Sequence, residues 1–340
     1  MNKLLKKLLK KESIEPSSRI TSETVVRHRE RILAGGRRFK YPIQYTRHKL
    51  VINAIIISVL ALITMLIIGW WQLYLSQNTS DFMYRVTKVI PVPVANVDGQ
   101  SVLYSDYLMK FRSSVYYLEQ KEQLNIKSDE GKKQLDTIKK QSLKDAIADA
   151  YAFKISKSLN ISVTDIELES LLKSQRQSVD GEISQQTYDA STLDYLGWSP
   201  DEYRYSIKNG LLRQKVAYAI DTNALNIVNN ISTLATNNPN IDLKSLPSTI
   251  TDSVISYSVS GWVPKTNQDG GLAIEASKLN KLQLSGVIKS TLGDGFYYIR
   301  LLDINDSQVY YEYIQIPLTK FNEDLNNILN SDKTKKYISV

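Results

Sequence analysis

The order of apolar and polar positions divides the chain into three parts. An uncharged apolar run covers residues 50–71, and apolar residues then recur every three or four positions as far as residue 220. From residue 251 onward, apolar and polar residues alternate in short runs separated by Gly, Asn and Asp. A period near 3.6 is typical of helices and a period of two is typical of strands. The pattern predicts a single-pass transmembrane helix, an α-helical domain and a smaller α+β domain with an antiparallel sheet.

The apolar run is long enough to cross a bilayer. The twenty-two residues from Leu50 to Trp71 carry no charge, and a helix of that length covers roughly the 30 Å of a hydrocarbon core. A soluble core helix is usually shorter, and a cleaved signal peptide ends in small residues, whereas bulky Trp70 and Trp71 end this run. We therefore predict a retained transmembrane helix over residues 50–75 that contacts the lipid bilayer, followed by a linker over residues 76–93.

The distribution of charge predicts the orientation of that helix. Residues 1–50 hold fourteen Lys or Arg and four Glu, a net charge of +10, whereas the whole chain carries only +8. The remaining residues hold 29 basic and 31 acidic side chains, a net charge of −2. Basic segments beside a span stay in the cytoplasm. Residues 1–49 are thus expected to form a basic cytoplasmic tail, with the carboxy-terminal domains outside the cell membrane, and no nucleic-acid partner is expected.

Within the tail, leucines and lysines at helical spacing predict an amphipathic helix. Its two faces would carry Leu4, Leu5, Leu8 and Leu9 on one side and Lys3, Lys6, Lys7, Lys10 and Lys11 on the other. Such a helix suits an anionic lipid surface. A solvated basic arm that only sets the topology fits equally well, and contact with the ribosome or RNA is a third alternative. The stretch Arg19–Tyr45 has little periodicity and contains Gly35–Gly36, which predicts a flexible tether.

After the anchor, residues typical of turns and helix caps predict where the elements begin and end. Asp98–Gly99 joins two short apolar runs, which predicts a tight hairpin turn. The next helix is expected to begin at Ser105, whose side chain can cap it. Thr164 with Glu167 three residues later predicts a capping box at the start of another helix, and Pro200 predicts the first position of the last one.

The last third of the chain changes in composition. Residues 221–250 are rich in Asn, Ser and Thr and are expected to form a linker with one helix. Strands are then expected at Val254–Val263, Phe296–Leu302 and Val309–Ile316, and helices at Ile274–Leu282 and Phe321–Leu329. Because a short polar turn separates the last two strands, they are predicted to form a hairpin.

The lack of Cys and the positions of the two His limit which nucleophiles and metal ligands the chain can provide. The chain contains no Cys, and its only two His, His28 and His48, belong to the predicted cytoplasmic tail. The portion after the anchor therefore lacks the residues of a serine–histidine or cysteine–histidine nucleophile and of a zinc site with Cys or His ligands. No metal and no cofactor are expected.

Residues 94–220 carry an ordered set of short motifs. The set comprises Asn96, Asp98–Gly99, Leu159–Val163 and Leu211–Lys215. In this order it resembles the amino-terminal domain of the SurA, PrsA and PpiD group of extracytoplasmic folding factors. The resemblance implies a helical chaperone domain that holds unfolded or newly exported polypeptides as clients. A generic helical bundle that carries the same caps by chance is the alternative.

Residues 251–340 resemble the second half of a parvulin-type (PpiC) prolyl isomerase domain. The resemblance rests on Gly261–Trp262, Leu284–Lys289 and Gly293–Leu301, and the opening strand of that family, with its histidine, is not visible before residue 250. Tyr297 stands where the family has the histidine of its closing strand. Tyr313 stands in the place of the other histidine, in a strand near the carboxy end.

These departures imply a degenerate or rearranged domain. Val309–Ile316 is expected to fill the vacant place beside Phe296–Leu302, with Phe321–Leu329 as the following helix. The candidate histidine-replacing groups are Tyr297 and Tyr313. The substrate-binding residues implied by the resemblance are Trp262, Phe296 and Tyr298.

Three functions remain open from the sequence. A membrane-anchored chaperone with weak or no catalysis is favoured, because loss of both histidines weakens the polar network that acts on a prolyl bond. An active peptidyl-prolyl cis-trans isomerase is the first alternative, since tyrosine hydroxyls can still donate hydrogen bonds. A structural anchor protein of the cell envelope is the second.

Overall fold

A computed structural model describes residues 21–40, 42–178, 181–250 and 254–340. The chain divides into two compact units, residues 1–72 and residues 73–340. The five lysines predicted to contact anionic lipid precede residue 21 and lie outside the described residues, so that contact stays a prediction.

The first unit contains helices α1 (Ser22–Lys40) and α2 (Pro42–Trp70), and α2 continues as a π-helical turn over Trp71–Leu75. The segment His48–Leu75 is long and apolar enough to cross a membrane, with a mean hydropathy of 2.9 in its most apolar window. The apolar side chains in that window are exposed, unlike those of a soluble core helix. The hydroxyl of Thr64 donates to the carbonyl of Leu60 at 2.9 Å, so this polar side chain is satisfied within the helix.

Helix α1 corrects the prediction of a flexible tether. Most of its residues, such as Arg, Glu, Leu and Ala, are good helix formers. Each glycine costs only about 1 kcal/mol relative to alanine in a helix, so Gly35–Gly36 does not interrupt it. The missing periodicity in the sequence reflects a helix that buries no side chain within the described residues 21–35, where all side chains are exposed.

The second unit begins with a helical half. Its elements are α3 (Asp81–Val89), β1 (Pro93–Val97), β2 (Gln100–Leu103), α4 (Tyr104–Gln120), α5 (Asp129–Ser158), α6 (Asp165–Gln175), β3 (Gln177–Ser178), β4 (Gly181–Glu182), α7 (Gln185–Leu196) and α8 (Pro200–Ile220). The predicted capping box at Thr164 and the predicted helix start at Pro200 are confirmed. Thr164 and Glu167 form a capping box on α6, and Ser199 and Glu202 form one on α8, with Pro200 in the first turn.

The predicted hairpin between β1 and β2 is confirmed. Asp98 and Gly99 both have positive φ, 48° and 87°, as a two-residue type I′ turn requires. The ammonium of Lys154 binds both the carboxylate and the carbonyl of Asp98, which fastens the turn to α5. Helix α4 begins at Tyr104, one residue before the expected Ser105 and without a side-chain cap. Tyr104 is fully buried and its N–H donates to the carbonyl of Val92, so tertiary contacts set this helix start.

The segment expected to be a linker, residues 76–93, is instead partly helical. Ser80 caps α3, and Met83, Tyr84 and Thr87 are buried in the core of the helical half. The polar residues Asp81, Arg85 and Lys88 made the segment resemble a linker, but they occupy only the exposed side of the helix.

The sheet half of the second unit follows α8. Its elements are α9 (Thr222–Asn237), a 3₁₀ turn (Leu243–Ser245), α10 (Leu246–Thr249), β5 (Ser256–Pro264), α11 (Leu272–Ala276), β6 (Ile288–Lys289), β7 (Gly295–Ile304) and β8 (Gln308–Pro317). The four strands form an antiparallel sheet in the order β5-β8-β7-β6. The expected β7–β8 hairpin is confirmed, and β8 lies between β5 and β7.

Two expectations for this half need correction. The helix expected within residues 221–250 is confirmed as α9, but the segment is not a linker, since Ala224, Val228 and Ile231 pack against Phe296 and Ile314 in the core on one face of the sheet. The helix expected at 274–282 is the shorter α11, which packs on the opposite face. It cannot reach residue 282, because the N–H of Leu282 donates to the carbonyl of Leu301 at the sheet edge.

After β8 the chain returns to the helical half with α12 (Lys320–Leu329) and β9 (Thr334–Lys336). Phe321 and Leu325 of α12 are buried in the helical core, where the ring of Phe321 lies 5.7 Å from that of Tyr151. Strand β9 pairs with β1. The assignment of residues 251–340 to one domain is therefore wrong at its end. Both sheet faces are already covered, by α9 and α11, so α12 buries its apolar face elsewhere.

Candidate functional site

Three tyrosines line the face of the sheet beneath α11. Tyr297 on β7 and Tyr313 on β8 have ring centroids 5.9 Å apart, and Tyr313 is 6.0 Å from Tyr311. The β7–β8 register places Ile299 opposite Tyr313, so Tyr297 and Tyr313 are diagonal neighbours on one face. The structure thus brings together the two tyrosines that the sequence proposed as histidine replacements, and adds Tyr311, which sequence reasoning missed.

We call the sheet face that carries Tyr297, Tyr311 and Tyr313 the tyrosine face. Two carboxylates accept hydrogen bonds from its hydroxyls. Tyr297 Oη donates to Asp294 Oδ2 at 2.7 Å, and Tyr311 Oη donates to Asp269 Oδ2 at 2.6 Å. Asp269 also accepts from the backbone N–H of Ala273 and so fixes the start of α11. Burial, reinforced by the neighbouring carboxylate, raises the pKa of Tyr297 and of Tyr311 well above the usual value of 10. Both hydroxyls therefore remain protonated donors at neutral pH and cannot act as bases.

The tyrosine face is closed rather than open. Tyr297 and Tyr311 are 5% and 2% exposed, and they pack with Leu272, Ala273 and Ala276 of α11. Tyr313 is half-buried in this cluster and, among the described residues, makes no hydrogen bond to either carboxylate. An imide substrate would have to displace α11 to reach the hydroxyls of Tyr297 and Tyr311.

The predicted substrate-binding residues are not assembled with the tyrosines. Phe296 and Tyr298 point to the opposite face, because they flank Tyr297 along the same strand. Both are buried in the core beneath α9, at 1% and 2% exposure, and their predicted contact with substrate stays a prediction. Trp262 is 47% exposed on β5, where it stacks on Tyr310 at 5.7 Å.

A groove of about 410 Å³ opens between the end of α9 and the edge of the sheet. We call it the α9 groove. Its lining consists of Ser232, Ala235, Thr236, Pro239, Asn240, the segment from Leu282 to Val287, and Tyr298. The hydroxyl of Tyr298 lies 2.5 Å from that of Ser232 and donates to the carbonyl of Val228, so it is already satisfied. Leu282 and Val287 leave large apolar surfaces exposed, at 62% and 45%.

The sheet-edge wall of the α9 groove offers backbone hydrogen-bonding groups. Ser285 N–H donates to the carbonyl of Ile299, and Leu301 N–H donates to the carbonyl of Gln283. Between these two bonds, Leu284 forms a bridge with Arg300. In this antiparallel pattern the N–H and C=O of the residue between the bonds point away from the paired strand. The groove therefore combines apolar side chains with the outward-facing N–H and C=O of Leu284, groups that an extended apolar polypeptide can use.

Sequence reasoning missed the carboxylates and the α9 groove for different reasons. Asp269 precedes Gly270–Gly271, and an Asp just before a turn and a short helix is a capping signal that could have been noticed. The groove has no comparable signal. Its two walls are about fifty residues apart in the chain, and only their packing brings them together.

Comparison with known proteins adds one match. A family model described as SurA-like N-terminal domain matches residues 43–217. The matched range includes the apolar helix and almost all of the helical half, and it stops before the sheet half. No curated protein matches the chain.

Proposed function

The chain belongs to the SurA-like N-terminal domain family, and on that premise we propose that it is a membrane-anchored extracytoplasmic chaperone. In this proposal the span His48–Leu75 holds it in the cell membrane with its amino terminus in the cytoplasm. The sheet and helical halves lie outside, where they bind unfolded or newly exported polypeptides. The family supports a chaperone of the periplasmic type, and the surplus of basic residues before the span supports the orientation.

The α9 groove is the observation that carries client binding. It presents Leu282 and Val287 as exposed apolar contacts beside the outward-facing edge at Leu284. Main-chain hydrogen bonds give affinity that depends little on client sequence, while apolar contacts select exposed hydrophobic segments. A chaperone that holds many different chains needs both properties.

The same geometry supports a protein with little or no prolyl isomerase activity. Tyr297 and Tyr311 donate to Asp294 and Asp269 within a face covered by α11, so their hydroxyls are committed to internal partners. An active isomerase is the second candidate, since the partly exposed Tyr313 lies within the same cluster.

Two assays on the full chain in single-chain nanodiscs separate these functions. One measures suppression of aggregation of a chemically unfolded client, and the other measures cis-trans isomerisation of a proline-containing peptide. We expect suppression without measurable isomerisation. Isomerisation that is lost on Tyr313→Phe would instead establish the enzyme. A chain inactive in both assays would be a structural protein of the envelope.

A matched pair of double variants tests the α9 groove. Leu282→Ser with Val287→Ser removes two exposed apolar contacts from the groove, whereas Ile274→Ser with Leu193→Ser removes side chains that are 48% and 53% exposed elsewhere. Loss of about 1 kcal/mol per apolar contact predicts at least roughly tenfold weaker client binding for the first pair. The second pair is expected to bind as the unmodified protein does. Equal affinity of the two pairs would remove the groove from the proposal.

A further inference from the structure

Helix α3 has two apolar sides, and the domain covers only one of them. Met83 and Tyr84 are 6% and 5% exposed in the helical core. Phe82 and Val89 are 72% and 82% exposed, and Val86 between them is half-buried. Spacings of four and three residues place Phe82, Val86 and Val89 in one row along the helix. We call this row the α3 stripe.

Cationic side chains flank the α3 stripe on its exposed side. Arg85 and Lys88 have side chains that are 78% and 50% exposed, although each also contacts a carboxylate, Asp81 at 2.7 Å and Glu202 at 3.3 Å. An exposed apolar row with Lys or Arg beside it is the composition of helices that lie in a membrane interface. In helices of that class the apolar row enters the boundary of the acyl chains, and the cations reach lipid phosphates.

Packing holds α3 close to the point where the candidate span ends. Leu73 and Tyr74 belong to the last turn of the segment His48–Leu75, and Leu73 is buried in the same core as Met83 and Tyr84. Tyr104 Oη donates to the carbonyl of Leu73 at 2.7 Å. Tyr74 Oη donates to the carbonyl of Pro93 at 2.7 Å, only four residues beyond the end of α3. Helix α3 is therefore packed in the same unit as Leu73 and Tyr74, residues that follow shortly after the apolar run in the chain.

From this continuity we infer that the α3 stripe lies in the surface of the bilayer, with Phe82 and Val89 at the boundary between headgroups and acyl chains. The inference rests on the membrane anchor of the proposed function, and it does not depend on client binding. An interfacial helix of this kind buries its apolar side about 5–10 Å into the boundary. Such contact would keep the helical half close to the membrane, where exported chains emerge.

The chain lacks cysteine, so single nitroxide labels can be placed without removing any native thiol. The test uses the full chain, one copy per nanodisc, in equal parts of phosphatidylglycerol and phosphatidylcholine. Separate variants carry the label through Phe82→Cys, Val89→Cys, Ile166→Cys and Leu60→Cys. Ile166 is 83% exposed on α6 and serves as the matched water-exposed control, and Leu60 reports on the span. The readout is the ratio of two collision rates of the nitroxide. One is its collision rate with oxygen, which concentrates in lipid, and the other is its collision rate with a water-soluble nickel chelate.

We expect the oxygen-to-nickel ratio at 82 and 89 to exceed that at 166 and to approach that at 60. Ratios at 82 and 89 equal to that at 166 would overturn the inference. A second copy or a client as the true occupant would give this same result, because neither is present in a single-copy disc. An oxygen-to-nickel ratio at 60 as low as that at 166 would show that the apolar helix lies outside the bilayer, and it would overturn the membrane anchor of the proposed function. Lipid contact at 60 without lipid contact at 82 would overturn only the position of the α3 stripe.

Discussion

The helical half and the sheet half of residues 73–340 close their cores in different ways. The sheet half is continuous in sequence, since α9, α11 and the four strands all come from residues 222–317. The helical half is completed by the far end of the chain, because α12 fills its core and β9 pairs with β1. Because α12 and β9 follow the sheet half in the chain, the helical half cannot complete its core until the whole sheet half has been synthesised. The sheet half needs no segment that follows it in the chain.

One buried carboxylate lies where the two halves meet. Asp221 is 1% exposed and stands between α8 and α9. Its Oδ1 accepts the N–H of Ala224 at 3.0 Å, and its Oδ2 accepts the N–H groups of Thr319 and Lys320 at 2.8 and 3.0 Å. The same side chain therefore caps the first helix of the sheet half and the helix that leaves the sheet half.

Substitution of Phe321 tests the claim that α12 belongs to the helical core. Phe321→Ala is expected to lower the free energy of unfolding of residues 73–340 by about 3–5 kcal/mol, as large-to-small changes of buried aromatic residues do. Trp198 lies in the helical half and Trp262 in the sheet half, so urea unfolding of variants with one or the other tryptophan follows each half. Asn322→Ala, at the exposed next position, is the control. A shift confined to the Trp262 transition would assign α12 to the sheet half.

Asp221→Asn tests the junction between the halves. An amide keeps one acceptor oxygen but turns an NH₂ group toward N–H donors, so at least one charge-assisted hydrogen bond is lost. We expect a loss of about 2–3 kcal/mol in the free energy of unfolding. The transitions reported by Trp198 and Trp262 should also separate along the urea axis, because the junction couples them. Asp242→Asn, which changes an exposed cap of the 3₁₀ turn, should cost less than half as much.

Tyr311→Phe examines the closed face of the sheet half alone. The substitution keeps the ring in its packing and removes only the hydrogen bond to Asp269, so the expected loss is about 1 kcal/mol. The change should appear in the Trp262 transition and leave the Trp198 transition in place. Tyr310→Phe alters a tyrosine that stacks on exposed Trp262, and we expect it to be nearly neutral. Equal effects of the two variants would contradict the structural role of the Tyr311 hydroxyl.

Glu167 provides the smallest effect, and it is confined to the helical half. A hydrogen bond from Lys215, followed by the cap contacts with Thr164, lowers the pKa of Glu167 from 4.5 to about 2. The folded state therefore favours the ionised form. Its contribution is complete above pH about 4.5 and is lost as the pH falls toward about 2.

Glu167→Gln should accordingly destabilise the helical half at pH 7 by less than about 1 kcal/mol, since the pair is partly exposed and screened. The difference from the unmodified protein should shrink as the pH falls from about 4.5 through about 2. Thermal unfolding across this pH range measures it, with the exposed Glu119→Gln as control. A difference that did not change with pH would show that the carboxylate charge is not what stabilises this cap.

Local signals made much of the fold predictable. The Asp98–Gly99 turn, the capping box of α6, the start of α8 at Pro200 and the β7–β8 hairpin were all read correctly, because each depends on residues within one turn or one pair of strands. The same reasoning failed for α1 and α3. Helix α1 has no apolar period because its side chains are exposed throughout the described residues 21–35, and the polar residues of α3 occupy only its exposed side.

In the candidate site, too, some features followed from local sequence patterns and others did not. The pairing of the strands that carry Tyr297 and Tyr313 was anticipated, whereas the burial of Phe296 and Tyr298 was not. Alternation along a strand already implies that both point away from Tyr297. What the alternation cannot tell is that α9 and α11 cover the two faces, and that cover turns both sets of aromatic side chains into core.

The amino-acid sequence by itself determined the apolar span, the asymmetry of charge around it and the turns and caps that delimit most elements. These features follow from composition and from interactions between residues close together in the chain. Tertiary structure alone decided that α12 and β9 complete the helical half, that the tyrosine face is closed and that the α9 groove is open. An apolar side chain requires removal from water but does not specify its partner, and that choice depends on which surfaces the rest of the fold leaves uncovered.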